Sequence, residues 1–201
     1  DTIDISYNEQ TLTFKIKDNG RGIPISIHPE TGIHQATMAL SQTKSGRNFD
    51  DATRGATRGV NGVGASIVNF CSEWFQVDIL RDKTSFSQTF GESDEDLIIK
   101  DPLILKSKLT NTGTTIEFKL SKKVFKHFEL PTSFIDDRVL ELSLCYPNLK
   151  ITLNGKKIKS LSVEKSIFKG KKPIFFEINE DDFKSRFWLC HSFTEHNNEH
   201  A

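Results

Sequence analysis

DNGRGIP, residues 18–24, stands where a strand-like alternation stops and two glycines and a proline take over. Just upstream, Leu12, Phe14 and Ile16 alternate with polar residues. Ile3, Ile5 and Tyr7 do the same before the turn-forming Asn8-Glu9-Gln10, so TIDISYNEQTLTFKIKDNG predicts a β-hairpin. Asp18 then sits at a strand end, where its carboxylate can accept a hydrogen bond from an exocyclic amine. Gly22 removes the side chain that would keep a flat ring off the backbone, and Ile23 and Pro24 offer that ring an apolar wall. The same residues also read as a tight turn in which the Asp bonds its own backbone. The tripeptide alone leaves both readings open.

Downstream, IHQATMALSQ predicts a short helix, followed by the polar segment TKSGRNFDDATRGATRG, with Phe49 its only large apolar residue. Long polar segments inside compact domains are often lids over sites. Next comes RGVNGVGAS, residues 58–66, with the spacing Gly-x-x-Gly-x-Gly, and a helix is predicted from about Ala65 to Cys71. The first N–H groups of a helix lack intrahelical partners and suit phosphate, although glycines before a helix also serve packing. TGTTIEF then puts Thr114 at a strand start after Gly113, where its hydroxyl can reach a base directly or through a water. Ordinary strand propensity accounts for that Thr equally well.

The remaining patterns predict mostly strands. WFQVDIL and TSFSQTF are joined by Arg81-Asp82-Lys83, and LIIKDPLILK and GTTIEFKL follow. PTSFIDDRVLELSLC predicts a helix with a capping box, Ser133 to Asp136, and a buried stripe of Val139, Leu140, Leu142 and Leu144. Asn154-Gly155 signals a hairpin in KITLNGKKI, and PIFFEI and RFWLCHSF read as further strands. The fold class is α+β: a mixed, mostly antiparallel sheet with helices on one face.

Composition narrows the function. The chain has 201 residues, a formal net charge of zero and sixteen Phe to fill a core. A domain that gripped duplex DNA by itself is usually basic, so a nucleic-acid role here is indirect or shared with other parts. Cys71, Cys145 and Cys190 form no metal-ligand pair or disulfide framework, which fits a reducing, intracellular setting. No apolar run is long enough to span a membrane. A start at Asp1, inside a strand, predicts a piece of a larger protein.

The order of the motifs carries more than any one of them. Strand, D-x-G-x-G, polar segment, G-x-x-G-x-G, helix and G-T resembles the nucleotide-binding fold shared by gyrase, heat-shock chaperone, histidine kinase and mismatch-repair ATPases. That fold, the GHKL or Bergerat type, is a two-layer α/β sandwich. Within it, DNGRGIPISIHPETG, SGRNFDD and GVNGVGASIVNFCSEWF resemble the ATPase domain of type II DNA topoisomerases, over roughly residues 1–155. Residues 156–201 correspond to the end of that domain or the start of the transducer domain.

The resemblance implies a split ATP site. Asp18 would bind the adenine amine, with Gly22 and Thr114 beside it and Ile23 and Pro24 lining the pocket. Gly59, Val60, Asn61, Gly62, Val63, Gly64 and Ala65 would cradle the phosphates, Ser45–Arg58 would be the lid, and Arg21 would rim the pocket. The general base Glu and the magnesium ligand belong to a helix upstream of this chain, so the resemblance implies ATP and magnesium but no catalytic residue here, and the chain alone is expected not to turn over ATP. Implied partners are double-stranded DNA through the full enzyme, a second ATPase domain in a homodimer, and a DNA-cleaving domain or subunit. The implied setting is the cytoplasm of a bacterial or phage-infected cell, associated with the nucleoid. Asn61, where gyrase-type enzymes have His, and GRNFDD, where they have GGKFDD, leave gyrase, topoisomerase IV and T4-like phage types open. A mismatch-repair or histidine-kinase relative and a non-hydrolysing nucleotide-binding module are the alternatives. HNNEH, residues 196–200, matches a zinc-protease pattern but lacks a helix-forming core and a third ligand downstream.

Overall fold

The computed structural model describes residues 1–43, 63–92, 97–108, 110–127, 129–159, 174–180 and 183–189. The predicted hairpin is β1 (Thr2–Asn8) and β2 (Thr13–Asp18), followed by α1 (Gln35–Ser41) and α2 (Gly64–Phe70). Strands β3 (Ser72–Arg81) and β4 (Thr84–Glu92) form the longest hairpin. Its two turn residues, Asp82 and Lys83, are both left-handed at φ 51° and 56°, which matches the twist of the flanking strands. β5 (Leu97–Ile99), β6 (Leu103–Lys106) and β7 (Gly113–Leu120) follow. Asp101-Pro102 splits the predicted LIIKDPLILK strand, since proline removes a ladder donor, and both halves pair with β4. The chain continues through α3 (Thr132–Cys145), β8 (Lys150–Leu153) and β9 (Lys156–Lys157). β10 (Ile174–Glu180) and β11 (Phe183–Leu189) pair only with each other among the described residues.

Nine strands form one sheet in the order β5-β4-β3-β7-β2-β1-β8-β9, with β6 beside β5 on β4. Every pairing is antiparallel except β1 with β8. Register aligns three rows across four strands on one face. They are Asp18, Thr114, Ile79 and Phe86; Ile16, Ile116, Val77 and Gln88; and Phe14, Phe118, Phe75 and Phe90. The last row is a line of rings, with centroids 5.1 Å apart for Phe14–Phe118, 6.0 Å for Phe118–Phe75 and 5.9 Å for Phe75–Phe90. Ala36 and Leu40 of α1 and Val68 of α2 pack on these rows, while Val139 of α3 packs on Ile151 and Leu153 beside Ile5. Ile5 pairs with Ile16 on the same face. The helices therefore lie on one side, as the sequence predicts.

Two details of α3 differ from expectation. Pro131, at φ −73°, precedes the helix as its N-cap, and no side chain caps it. Proline presets the helical φ, so the helix begins at Thr132 and Ser133 lies inside the first turn rather than at the cap. Of the expected stripe only Val139 is buried, joined by Ser143, while Leu140, Leu142 and Leu144 are half-buried.

Candidate nucleotide-binding site

Asp18 is the last residue of β2, one step beyond the Lys17–Thr115 pair, so it stands level with Thr114 at the start of β7. Thr114 is buried and pairs in turn with Ile79 of β3. Gly113 permits this approach: its φ is 155°, and a Cβ there would collide with the carbonyl of Asp18. A carboxylate and a hydroxyl are thus brought side by side at one end of the sheet, on the helix face.

The turn that follows is held from both sides. Asp18 Oδ1 accepts the Gly20 N–H at 2.7 Å, and Asn19 Oδ1 accepts the Thr2 N–H at 2.7 Å. The local backbone bond anticipated for Asp18 is therefore present. It occupies one oxygen, and among the described residues Oδ2 accepts nothing. Gly22 has φ +74°, and a Cβ there would lie 2.9 Å from the Leu80 carbonyl and 3.1 Å from Ile79 Cγ2. Both the conformation and the space require glycine. Arg81, with 28% of its side chain exposed, donates from Nη1 to the Gly22 carbonyl at 2.7 Å. Ile23 packs against the core, Pro24 is half-buried and Arg21 is exposed. Further on, His34 Nδ1 donates to the Ile25 carbonyl at 2.7 Å, and its ring meets Phe86 edge-on at 5.5 Å.

The second half of the expected site is described only at its end. Gly59–Gly62 and the Ser45–Arg58 segment lie outside the described residues, as does HNNEH. Val63 precedes α2 and is half-buried, and Gly64 and Ala65 open the helix at the surface. Among the described residues a Cβ at Gly64 would meet nothing within 4 Å, so their packing does not demand glycine there. One residue, Cys71, links α2 to β3, and Val68 packs against the core of the sheet. Asn69 fastens α2 to α1 through Nδ2 and the Leu40 carbonyl at 2.8 Å, satisfying one of the free carbonyls at the end of α1.

The sequence reading missed Arg81 and left Gly113 without a role. Arg81 looked like part of a turn, and its target is a backbone carbonyl, which has no signature in sequence. The φ of Gly113 is visible only once β2 and β7 are neighbours.

Residues 1–124 match the family described as histidine kinase-, DNA gyrase B-, and HSP90-like ATPase. The chain belongs to that family. It is 31% identical over 173 residues to the B subunit of the type 2 topoisomerase of Aquifex aeolicus, covering 81% of this chain and 21% of that protein. To the B subunit of the DNA gyrase of Campylobacter jejuni it is 32% identical over 209 residues, covering 96% of this chain and 26% of the relative. The ATPase region of Saccharomyces cerevisiae topoisomerase II, solved with dexrazoxane, matches with a TM-score of 0.77 and 26% identity, over 89% of this chain and 50% of that one. Within the family, then, sequence and fold are those of a type II topoisomerase ATPase domain. The chain spans about a fifth to a quarter of the length of these curated relatives.

Proposed function

We propose that this chain is the ATP-binding part of a type II DNA topoisomerase and that adenine occupies the Asp18 end of the sheet. The observation that carries this reading is the placement of Asp18 level with Thr114, beside a Gly22 turn closed to side chains. The adenine amine donates to Asp18 Oδ2 while Oδ1 keeps Gly20 in place. Thr114 contacts the base directly or through a water, Ile23 and Pro24 flank the ring, and Arg21 rims the opening. Backbone N–H groups of Gly59, Val60, Asn61, Gly62, Val63, Gly64 and Ala65 cradle the phosphates, and the segment Ser45–Arg58 closes over them.

The chain's contribution to phosphoryl transfer is positioning and electrostatics. Among the described residues no three His, Cys, Asp or Glu side chains converge on a metal position, and the magnesium ligand is placed, with the general base, on a helix upstream of Asp1. The general base comes from outside the chain. ATP binding then drives homodimerisation of two such domains, which gates double-stranded DNA toward a cleaving domain or subunit in the cytoplasm. Among the described residues no helix is long and apolar enough to cross a membrane. Residues 1–155 form the ATP-binding domain, and 156–201 its end or the start of the transducer.

Calorimetric titration of the chain with ATP tests the reading, using Asp18→Asn. Asn retains an oxygen for the Gly20 N–H but loses the anionic acceptor, so affinity falls about tenfold to a hundredfold at unchanged melting temperature. Equal affinity in both proteins overturns the assignment.

A further inference from the structure

The face of the sheet opposite the helices distributes its charges unevenly. Near its centre they are paired, Lys15 with Glu117 at 3.0 Å and Lys119 with Glu73 at 2.6 Å. Toward the β1–β8–β9 edge the pairing stops. Asp4 stands opposite Lys17 on one side and Thr152 on the other, and Thr152 stands opposite Lys157. The Ile158 N–H to Ile151 carbonyl bond, at 2.9 Å, carries the pairing one residue past β9, and Lys159 comes next in the chain. Strand alternation puts Lys17, Lys150 and Lys157 on this one face. These three and Lys159 are exposed, and none has an ion-pair partner among the described residues. The one carboxylate among them, Asp4, accepts a hydrogen bond from Thr152 Oγ1 at 2.6 Å.

Lysines on an edge strand discourage edge-to-edge pairing. That does not account for like charges, Lys150 and Lys157, on one face of the adjacent strands β8 and β9, an arrangement that repels. Four cations against one occupied carboxylate concentrate positive charge on a chain whose formal total is zero. The lysines lie on or beside β2, β8 and β9, three of four neighbouring strands that span about 14 Å at the usual strand spacing. Such a surface suits a polyanion with repeating charges better than a single small anion.

We propose that the outer face of β2, β1, β8 and β9 contacts the phosphate backbone of double-stranded DNA without reading its sequence. The choice of DNA rests on the topoisomerase reading above. Fluorescence anisotropy of a labelled random-sequence duplex tests it, with salt varied from about 50 to 200 mM. The wild-type chain binds, and its affinity falls linearly on a double-logarithmic salt plot. The triple variant Lys150→Glu/Lys157→Glu/Lys159→Glu loses affinity at least about tenfold, and its salt slope falls by about 2 to 3. A control of equal charge change at the opposite sheet edge, Lys83→Glu/Lys106→Glu/Lys108→Glu, stays within about threefold of wild type. Thermal melting checks that each variant is folded, and the corresponding triple Gln variant replaces one that is not. Both triple variants still bind ATP, which keeps this test separate from that of the nucleotide site. The proposal is overturned by a wild-type chain that does not bind at low salt, or by equal losses in the two triples. Competition by polyglutamate as strong per charge as by DNA also overturns it, in favour of an acidic protein partner.

Discussion

Arg81 reaches from the end of β3 to the carbonyl of Gly22, 59 residues away in sequence, with a 2.7 Å hydrogen bond. The turn after Asp18 is therefore positioned by β3, a strand that is not adjacent to β2 in the sheet. Leu80 and Ile79 press on Gly22 from the same strand, so the bond and the packing fix one backbone conformation together.

Arg81→Ala removes a charged donor and leaves the Gly22 carbonyl without it. The expected loss is about 1 to 2 kcal/mol in stability, from denaturant melts, with a further weakening of ATP affinity. Arg81→Lys restores little of either, because a lysine ammonium does not reproduce the planar guanidinium geometry. Full recovery by lysine would show that charge alone matters.

Gly113→Ala and Gly64→Ala should behave as opposites. At Gly113 the added methyl meets the Asp18 backbone, so the start of β7 must move and both stability and ATP binding fall. At Gly64 the methyl meets open space at a helix start, and alanine is the better helix former by up to about 1 kcal/mol. That variant should melt no lower than wild type yet bind ATP more weakly, since the proposed phosphates approach this backbone. Unchanged ATP affinity in Gly64→Ala would count against the phosphate assignment.

Gln88 is buried on β4, one strand in from the sheet edge, where its amide takes the Thr37 hydroxyl at 2.7 Å and donates to the Lys100 carbonyl at 3.0 Å. Gln88→Leu leaves a buried hydroxyl and a carbonyl without this partner, and each such loss costs about 1 to 3 kcal/mol. Chemical denaturation should show a drop of at least about 2 kcal/mol. A neutral result would mean that water satisfies both groups.

The chain on its own should not hydrolyse ATP, because the proposed general base and metal ligands lie outside it. A sensitive phosphate-release assay with magnesium present should read background. Turnover that disappears in Asp18→Asn would locate a base inside the chain after all.

Residues whose partners are set by local alternation were legible in sequence. Phe14 and Ile16 place Asp18 at a strand end, and Gly113-Thr114 begins its neighbour, so the proposed adenine half was drawn from pattern and motif order. The interactions that run from a side chain to a distant backbone were not legible: Arg81 to Gly22, Asn69 to Leu40 and Gln88 to Lys100. The start of α3 was misplaced for a local reason, since Ser133 and Asp136 match a capping pattern while Pro131 takes the cap position two residues earlier. The like charges of Lys150 and Lys157 on one face need the β8–β9 register, which charge counting along the chain cannot supply.

The three rows on the helix-facing side restrain the sheet differently at its two ends. At one end β2, β7 and β3 are clamped by Phe14, Phe118 and Phe75, and at the other they finish in Asp18, Gly113 and Arg81. Opening the ring end would expose the core, and opening the other end would uncover Ile79 and Phe86 and break the Arg81–Gly22 bond along with the last rungs of each ladder. The sheet is therefore held at both ends, by stacked rings at one and by a buried pair and a charged hydrogen bond at the other. A ligand seated beside Asp18 would meet a turn already set in one conformation and would not have to order it.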